Sequence, residues 1–214
     1  MFFIKRKIKE RLPKHKALNK KKFISWSLIS CFLLLGYFTI NHTNFFRSCE
    51  PGDKIDSLNQ VYVYYNGNSG SIRGRNISND GYNIGLKYQC VEFVKRYYYE
   101  HYNHKMPNSY GHAKDFFNPN LKDGQNNKDR GLRQYTNASK VKPEIGDLLI
   151  FSTTTFNEFG HVAIVSRVDE DEIEVIQQNS GSFSATREEF NLLLEEGRWR
   201  IENERILGWL RKEK

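Results

Sequence analysis

Cys90 and His161 are the residues whose types and settings point most directly to covalent chemistry. Cys90 opens the amphipathic run Cys90-Val91-Glu92-Phe93-Val94-Lys95-Arg96-Tyr97-Tyr98. His161 opens the apolar run His161-Val162-Ala163-Ile164-Val165, 71 residues further on. A thiol at a helix start and an imidazole at a strand start meet in space rather than in sequence. In such a pair the sulfur attacks a carbonyl carbon and the imidazole moves the proton. The free N–H groups and macrodipole of a helix N-terminus favour sulfur as the anion, so the position predicts a lowered thiol pKa. A third polar group must fix the imidazole tautomer. Gln177-Gln178-Asn179 ends the next strand pattern, and a hairpin would bring one of these side chains to His161. The backbone N–H of Cys90 with the amide of Gln89 or Tyr88 is the candidate oxyanion hole. The ordinary alternatives are a buried small hydrophobe for Cys90 and a structural role for His161. Metal binding by Cys90, His161, His104 and His112 lacks HxxxH or CxxC spacing, and no cofactor is expected.

The elements that must position this pair follow from periodicity. Val61–Tyr65 alternates as a first strand, and residues 66–87, rich in Gly, Asn and Ser, read as a long loop. Val91, Val94, Tyr97 and Tyr98 recur at helical spacing, which predicts a helix from Cys90 to about Tyr102 with Lys95 and Arg96 turned away from the core. Tyr110–Phe117 reads as a second short helix and residues 118–142 as a polar surface loop. Three strands at 147–152, 161–166 and 172–177 have short connections and predict an antiparallel meander. Thr186–Leu194 reads as a helix and Ile206–Leu210 as a last strand. The class is α+β, with helices first and an antiparallel sheet after them.

The net charge of +8 is not spread over the chain. Residues 1–22 hold ten Lys/Arg and one Glu, which leaves 23 basic and 24 acidic residues in 23–214. A balanced domain with a basic tail argues against a nucleic-acid partner. The tail abuts an uncharged run of 18 residues, Phe23–Ile40. As a helix this run is about 27 Å long, close to the bilayer hydrocarbon thickness. Lys20-Lys21-Lys22 before it predicts a cytoplasmic N-terminus and an extracytoplasmic C-terminal part, periplasmic or at the cell surface. A cleaved signal peptide is the competing reading. The expected layout is a basic tail (1–22), a transmembrane helix (23–40), a linker (41–58) and a catalytic domain (59–214). Cys49 is expected to be free or to pair between chains, since pairing with Cys90 would disable the nucleophile.

Four segments, Gln89-Cys90-Val91-Glu92-Phe93, Gly146-Asp147-Leu148-Leu149-Ile150-Phe151, Gly160-His161-Val162-Ala163-Ile164-Val165 and Gln178-Asn179, occur in an order that resembles the CHAP family of cysteine, histidine-dependent amidohydrolases/peptidases. Tyr88–Arg96 and Ile206–Leu210 resemble, more narrowly, the amidase domain of glutathionylspermidine synthetase/amidase. The resemblance covers roughly residues 60–210. It implies a papain-like fold, Cys90 as nucleophile, His161 as base, and a carboxylate just before Gln178-Asn179 that orients the base. This chain has Gln177 at that position, so the third member is neutral; Asn179 is the alternative partner.

The function these features predict is a membrane-anchored amidohydrolase acting on peptidoglycan amides. A polyamine-conjugate amidase of the glutathionylspermidine type is the second expectation. A catalytically silent, tethered binding module is the third. The substrate partner is peptidoglycan or another peptide amide, and the membrane is reached through the N-terminal helix.

Overall fold

A computed structural model describes residues 26, 29–36, 49–181 and 185–213. The chain divides into two units, Met1–Phe46 and Arg47–Lys214. In the first, residues 29–36 are helical. The basic segment 1–22 and most of the remaining apolar run lie outside the described residues. Among the described residues no helix is long and apolar enough to cross a membrane.

The second unit is α+β and begins with hairpins rather than helices. Strand β1 (Lys54–Leu58) pairs with β2 (Val61–Tyr64), and β3 (Arg75–Ile77) pairs with β4 (Asn83–Leu86). Strand β1 falls in the stretch read as a linker, and β3 and β4 fall in the stretch read as a loop. Helix α1 (Cys90–Tyr102) follows with the expected bounds, and the second short helix is a single 3₁₀ turn, Ala113–Phe116. The remaining strands are β5 (Gln125–Asn127), β6 (Leu132–Thr136), β7 (Leu148–Phe151), β8 (His161–Val168), β9 (Glu172–Ile176), β10 (Arg187–Glu195), β11 (Arg198–Ile201) and β12 (Ile206–Arg211). They form one eight-stranded sheet in the order β11-β10-β9-β8-β7-β12-β6-β5. Every pairing in it is antiparallel.

The period of two in each strand divides the core between the two faces of the sheet. Leu148, Ile150, Val162, Ile164 and Leu210 face Phe93, Val94, Tyr97 and Tyr98 of α1. Leu149, Phe151, Ala163, Val165, Val175 and Trp209 face a second cluster with Phe190, Leu192 and Ile201.

Three sequence readings fail for physical reasons. Segment 186–194 is strand β10 and not a helix. Phe190, Leu193 and Leu194 fit a helical stripe, Phe190 and Leu192 fit a strand, and pairing with both β9 and β11 decides between them. Segment 118–142 is not all surface loop: Leu132, Gln134 and Tyr135 are buried on β6. Gln134 hides the pattern because it is a polar core residue, bonded to Asn118 and Asn127 instead of water. Lys95 and Arg96 are buried rather than turned to solvent, because α1 is covered on a second side by β4. Lys95 donates to the carbonyl oxygens of Asn83 and Ser109. Burial, with the nearby Arg130 and Arg75 charges, pushes its ammonium down to about 7. Arg96 pairs with Glu92 at 2.7 Å.

Candidate active site

Cys90 is the first residue of α1. Its neighbour Tyr88 takes a left-handed backbone (φ 66), and Gln89 is an extended N-cap with no side-chain cap bond. The turn is closed by the Gln89 N–H donating to Leu86 O at 3.2 Å, and the helix begins with the Phe93 N–H donating to Gln89 O at 3.1 Å. Cys90 keeps some exposed surface, yet its sulfur is enclosed by protein. Burial therefore pushes the thiol pKa up, against the N–H groups of Val162, Val91 and Cys90 itself, which favour the anion. This corrects the sequence expectation: the helix start favours the thiolate as argued, but desolvation is the larger effect. The Val162 N–H also ties the sulfur to the residue next to His161. Cys31, Cys49 and Cys90 are free thiols, so no disulfide engages the Cys90 sulfur.

His161 lies at the start of β8, and its Nε2 is 3.0 Å from Gln177 Oε1. Register explains the meeting. Ile164 pairs with Ile176 across β8 and β9, so Gln177 continues on the same face as Ala163 and reaches His161 diagonally. The orientation of the Gln177 amide follows from its other partners. Its Nε2 donates to Ala185 O at 3.2 Å and to Glu188 Oε2 at 3.1 Å, both acceptors, so Oε1 must face the imidazole. His161 Nε2 therefore carries the proton, and Nδ1 is left as the basic nitrogen. Burial lowers the His161 pKa from 6.5 to about 4; the Gln177 bond opposes this and the Arg205 charge adds to it.

With the thiol pKa raised and the imidazole pKa lowered, the resting pair is neutral at pH 7. In a pair so poised, proton transfer would accompany attack on a substrate, with His161 as the candidate general base. We expect kcat/KM to rise with pH through about 4, as His161 loses its proton, and to stay level across neutral pH. A pH–rate profile with its acid limb at the ordinary histidine value would contradict this. The same shift links folding to pH. A depressed folded-state pKa contributes stability above 6.5 that is lost as pH falls toward about 4, ~3 kcal/mol in all.

The other expected site residues are placed differently. Asn179, with a left-handed backbone (φ 54), does not hold His161. Its amide donates to Gln89 Oε1 at 2.6 Å and Ser69 O at 2.9 Å. The Gln89 side chain donates to Ser71 O at 2.8 Å, and its backbone N–H is taken by Leu86. Neither amide of Gln89 is therefore free for an oxyanion. The Tyr88 ring packs 5.6 Å from that of Tyr64. The Cys90 N–H remains as the candidate oxyanion donor. Gln89 and Asn179 instead pin the 66–74 segment to the helix start.

Two residues that sequence reasoning left without a role are central. Gln178 alternates to the face opposite Gln177 and is buried. Its Nε2 donates to Gln89 O and Glu92 Oε2, each at 3.0 Å, and its Oε1 accepts the Tyr64 N–H at 2.7 Å. Glu92 is buried with Arg96 and also accepts from Asn76. Consecutive residues of one strand end thus hold His161 (Gln177) and the helix that carries Cys90 (Gln178).

Gly160 sets the entry of β8 with φ +72, and a Cβ there would stand 2.7 Å from Phe151 O and 3.1 Å from Lys114 N. Gly160→Ala is therefore expected to shift His161 and lower kcat/KM about tenfold or more, read beside an unfolding curve.

Residues 79–179 match the CHAP domain model, and this part of the chain is a CHAP domain. The chain is 28% identical over 119 residues to trypanothione synthetase of Crithidia fasciculata, covering 56% of this chain and 18% of that one. It is 31% identical over 98 residues to the bifunctional glutathionylspermidine synthetase/amidase of Escherichia coli (strain K12), covering 45% of this chain and 16% of that one. The chain thus spans less than a fifth of the length of either relative. The crystal structure of Ly7917 aligns with 35% of this chain at 22% identity and a TM-score of 0.25. The CHAP domain supports a hydrolase acting on amide bonds.

Proposed function

We propose that this chain is a cysteine amidohydrolase, anchored in a membrane, that cleaves amide bonds of bacterial peptidoglycan. The observation that carries the chemistry is the bond from His161 to Gln177, made beside the Val162 amide that touches the Cys90 sulfur. In this reading Cys90 Sγ attacks the amide carbon while His161 Nδ1 takes the thiol proton. The C–N bond breaks as His161 returns that proton to the departing amine, leaving a thioester on Cys90. Water then attacks the thioester, His161 takes a proton from it, and the carboxylic acid and the free thiol are released. The Cys90 N–H donates to the oxyanion in both steps.

The substrate assignment rests on the N-terminus. A basic segment before an apolar run suits a cytoplasmic tail and a membrane anchor, which would put the domain on the extracytoplasmic side, where peptidoglycan is the abundant amide polymer. The linker would then end before β1, and Gln177, not Asn179, would orient the base. The test is release of soluble muropeptides from purified peptidoglycan by the full chain in detergent, with Cys90→Ala as background. Release above that background supports the assignment, and none refutes it.

A second reading keeps the chemistry and changes the substrate to a glutathione–polyamine amide. It is favoured by the 31% identity to a glutathionylspermidine synthetase/amidase. Hydrolysis of glutathionylspermidine but not of peptidoglycan would select it.

A further inference from the structure

The Gln177 amide bridges an imidazole at one end and a carboxylate at the other. Its Oε1 meets His161 and its Nε2 meets Glu188. Sheet register builds this line. Val175 pairs with Glu188 across β9 and β10, as Ile164 pairs with Ile176 across β8 and β9. Gln177 therefore reaches diagonally to a residue on each neighbouring strand. The residues flanking Glu188 are held in ion pairs, Arg187 with Asp56 and Glu174, and Glu189 with Arg167. Glu188 instead turns its carboxylate onto the amide.

We propose that Glu188 is a positioning residue for His161: its carboxylate fixes the Gln177 amide with the carbonyl toward Nε2 and stabilises, through that amide, the imidazolium formed when Cys90 gives up its proton. The proposal rests on the thiol–imidazole reading above. The carboxylate that the family resemblance implies directly on the histidine is here one strand further out. The groups facing His161 make a remote anion useful. Phe151 packs its ring 5.7 Å away from β7, and the Arg205 charge from the turn before β12 opposes a second positive charge. Without Glu188 only the Ala185 carbonyl, at 3.2 Å, holds the NH₂ away from His161, and an amide that turned would force the proton to Nδ1 and remove the base.

The test uses the full chain and four variants. Glu188→Gln keeps the shape and drops the charge. We expect kcat/KM for the amide substrate to fall about tenfold, the unfolding midpoint to hold, and the ¹⁵N spectrum of His161 to gain the Nδ1–H tautomer. Glu189→Gln, which alters only an exposed ion pair, should leave rate and tautomer unchanged. Gln177→Glu alone places two carboxylates together and should be slow. Gln177→Glu with Glu188→Gln restores one carboxylate and should exceed both single variants. A Glu188→Gln protein with parental rate and tautomer, or a double variant no better than the slower single, overturns the proposal. The tautomer separates this from failure of the amidase reading. If the parent cleaves no amide offered, a tautomer shift in Glu188→Gln still supports the positioning role, and its absence still overturns it.

Discussion

Alanine at Cys90 is expected to lower amide hydrolysis at least about 10³-fold while leaving the fold intact. The size follows from the chemistry. Without sulfur no thioester forms, and His161, a weak base with its pKa near 4, is left to activate water against the amide itself, a poorer electrophile than a thioester. The fold should tolerate the change because Cys90 is only partly buried and its thiol links no second cysteine. Steady-state rates and urea unfolding on the same preparations check both halves. A Cys90→Ala protein with a tenth or more of parental activity (about 1.4 kcal/mol or less in transition-state stabilisation) would remove the sulfur from the mechanism.

Glu92→Ala is expected to be the costliest single change to stability, about 3–5 kcal/mol, because it leaves a buried arginine without its partner. Glu92 is 2% exposed and accepts from Arg96, Asn76 and Gln178. Those donors come from α1, β3 and the end of β9, so one carboxylate joins the elements around the nucleophile. Removing it leaves the Arg96 guanidinium buried beneath the Tyr64 ring, 4.8 Å from its centroid, with no counter-charge from Glu92. Glu92→Gln, which keeps the shape and part of the bonding, should cost less. Urea denaturation of the three proteins gives the order. A loss below about 1 kcal/mol in Glu92→Ala would mean that Arg96 finds solvent and that the pair is in effect a surface one.

The sequence made Cys90 and His161 legible as the candidate pair because each opens a strongly periodic element. The helix from Cys90 and the meander at 147–177 carry apolar spacing that tertiary packing does not override. The third member was legible through the hairpin, whose register selects Gln177 over Asn179 only once the strands are paired. What stayed hidden shares one cause: polar groups satisfied by other polar groups inside the protein. Gln134 disguised β6 as loop. Lys95 and Arg96 looked like a solvated face, although β4 covers them. Reading 186–194 as a helix removed Glu188 from any strand next to Gln177, so its reach to that amide could not be anticipated. The thiol pKa was misjudged in direction because a sequence shows the helix start but not the depth of burial around it.

The most direct test of the central claim, that Cys90 and His161 form a working acyl-transfer pair, is an acid-quench experiment read by intact mass. The full chain is mixed with peptidoglycan fragments and stopped from milliseconds to steady state. The account predicts a mass gain equal to the acyl half of the substrate, mapped to Cys90, removed by neutral hydroxylamine, and missing from Cys90→Ala. Amine product released with Cys90 unmodified at every time point would contradict it.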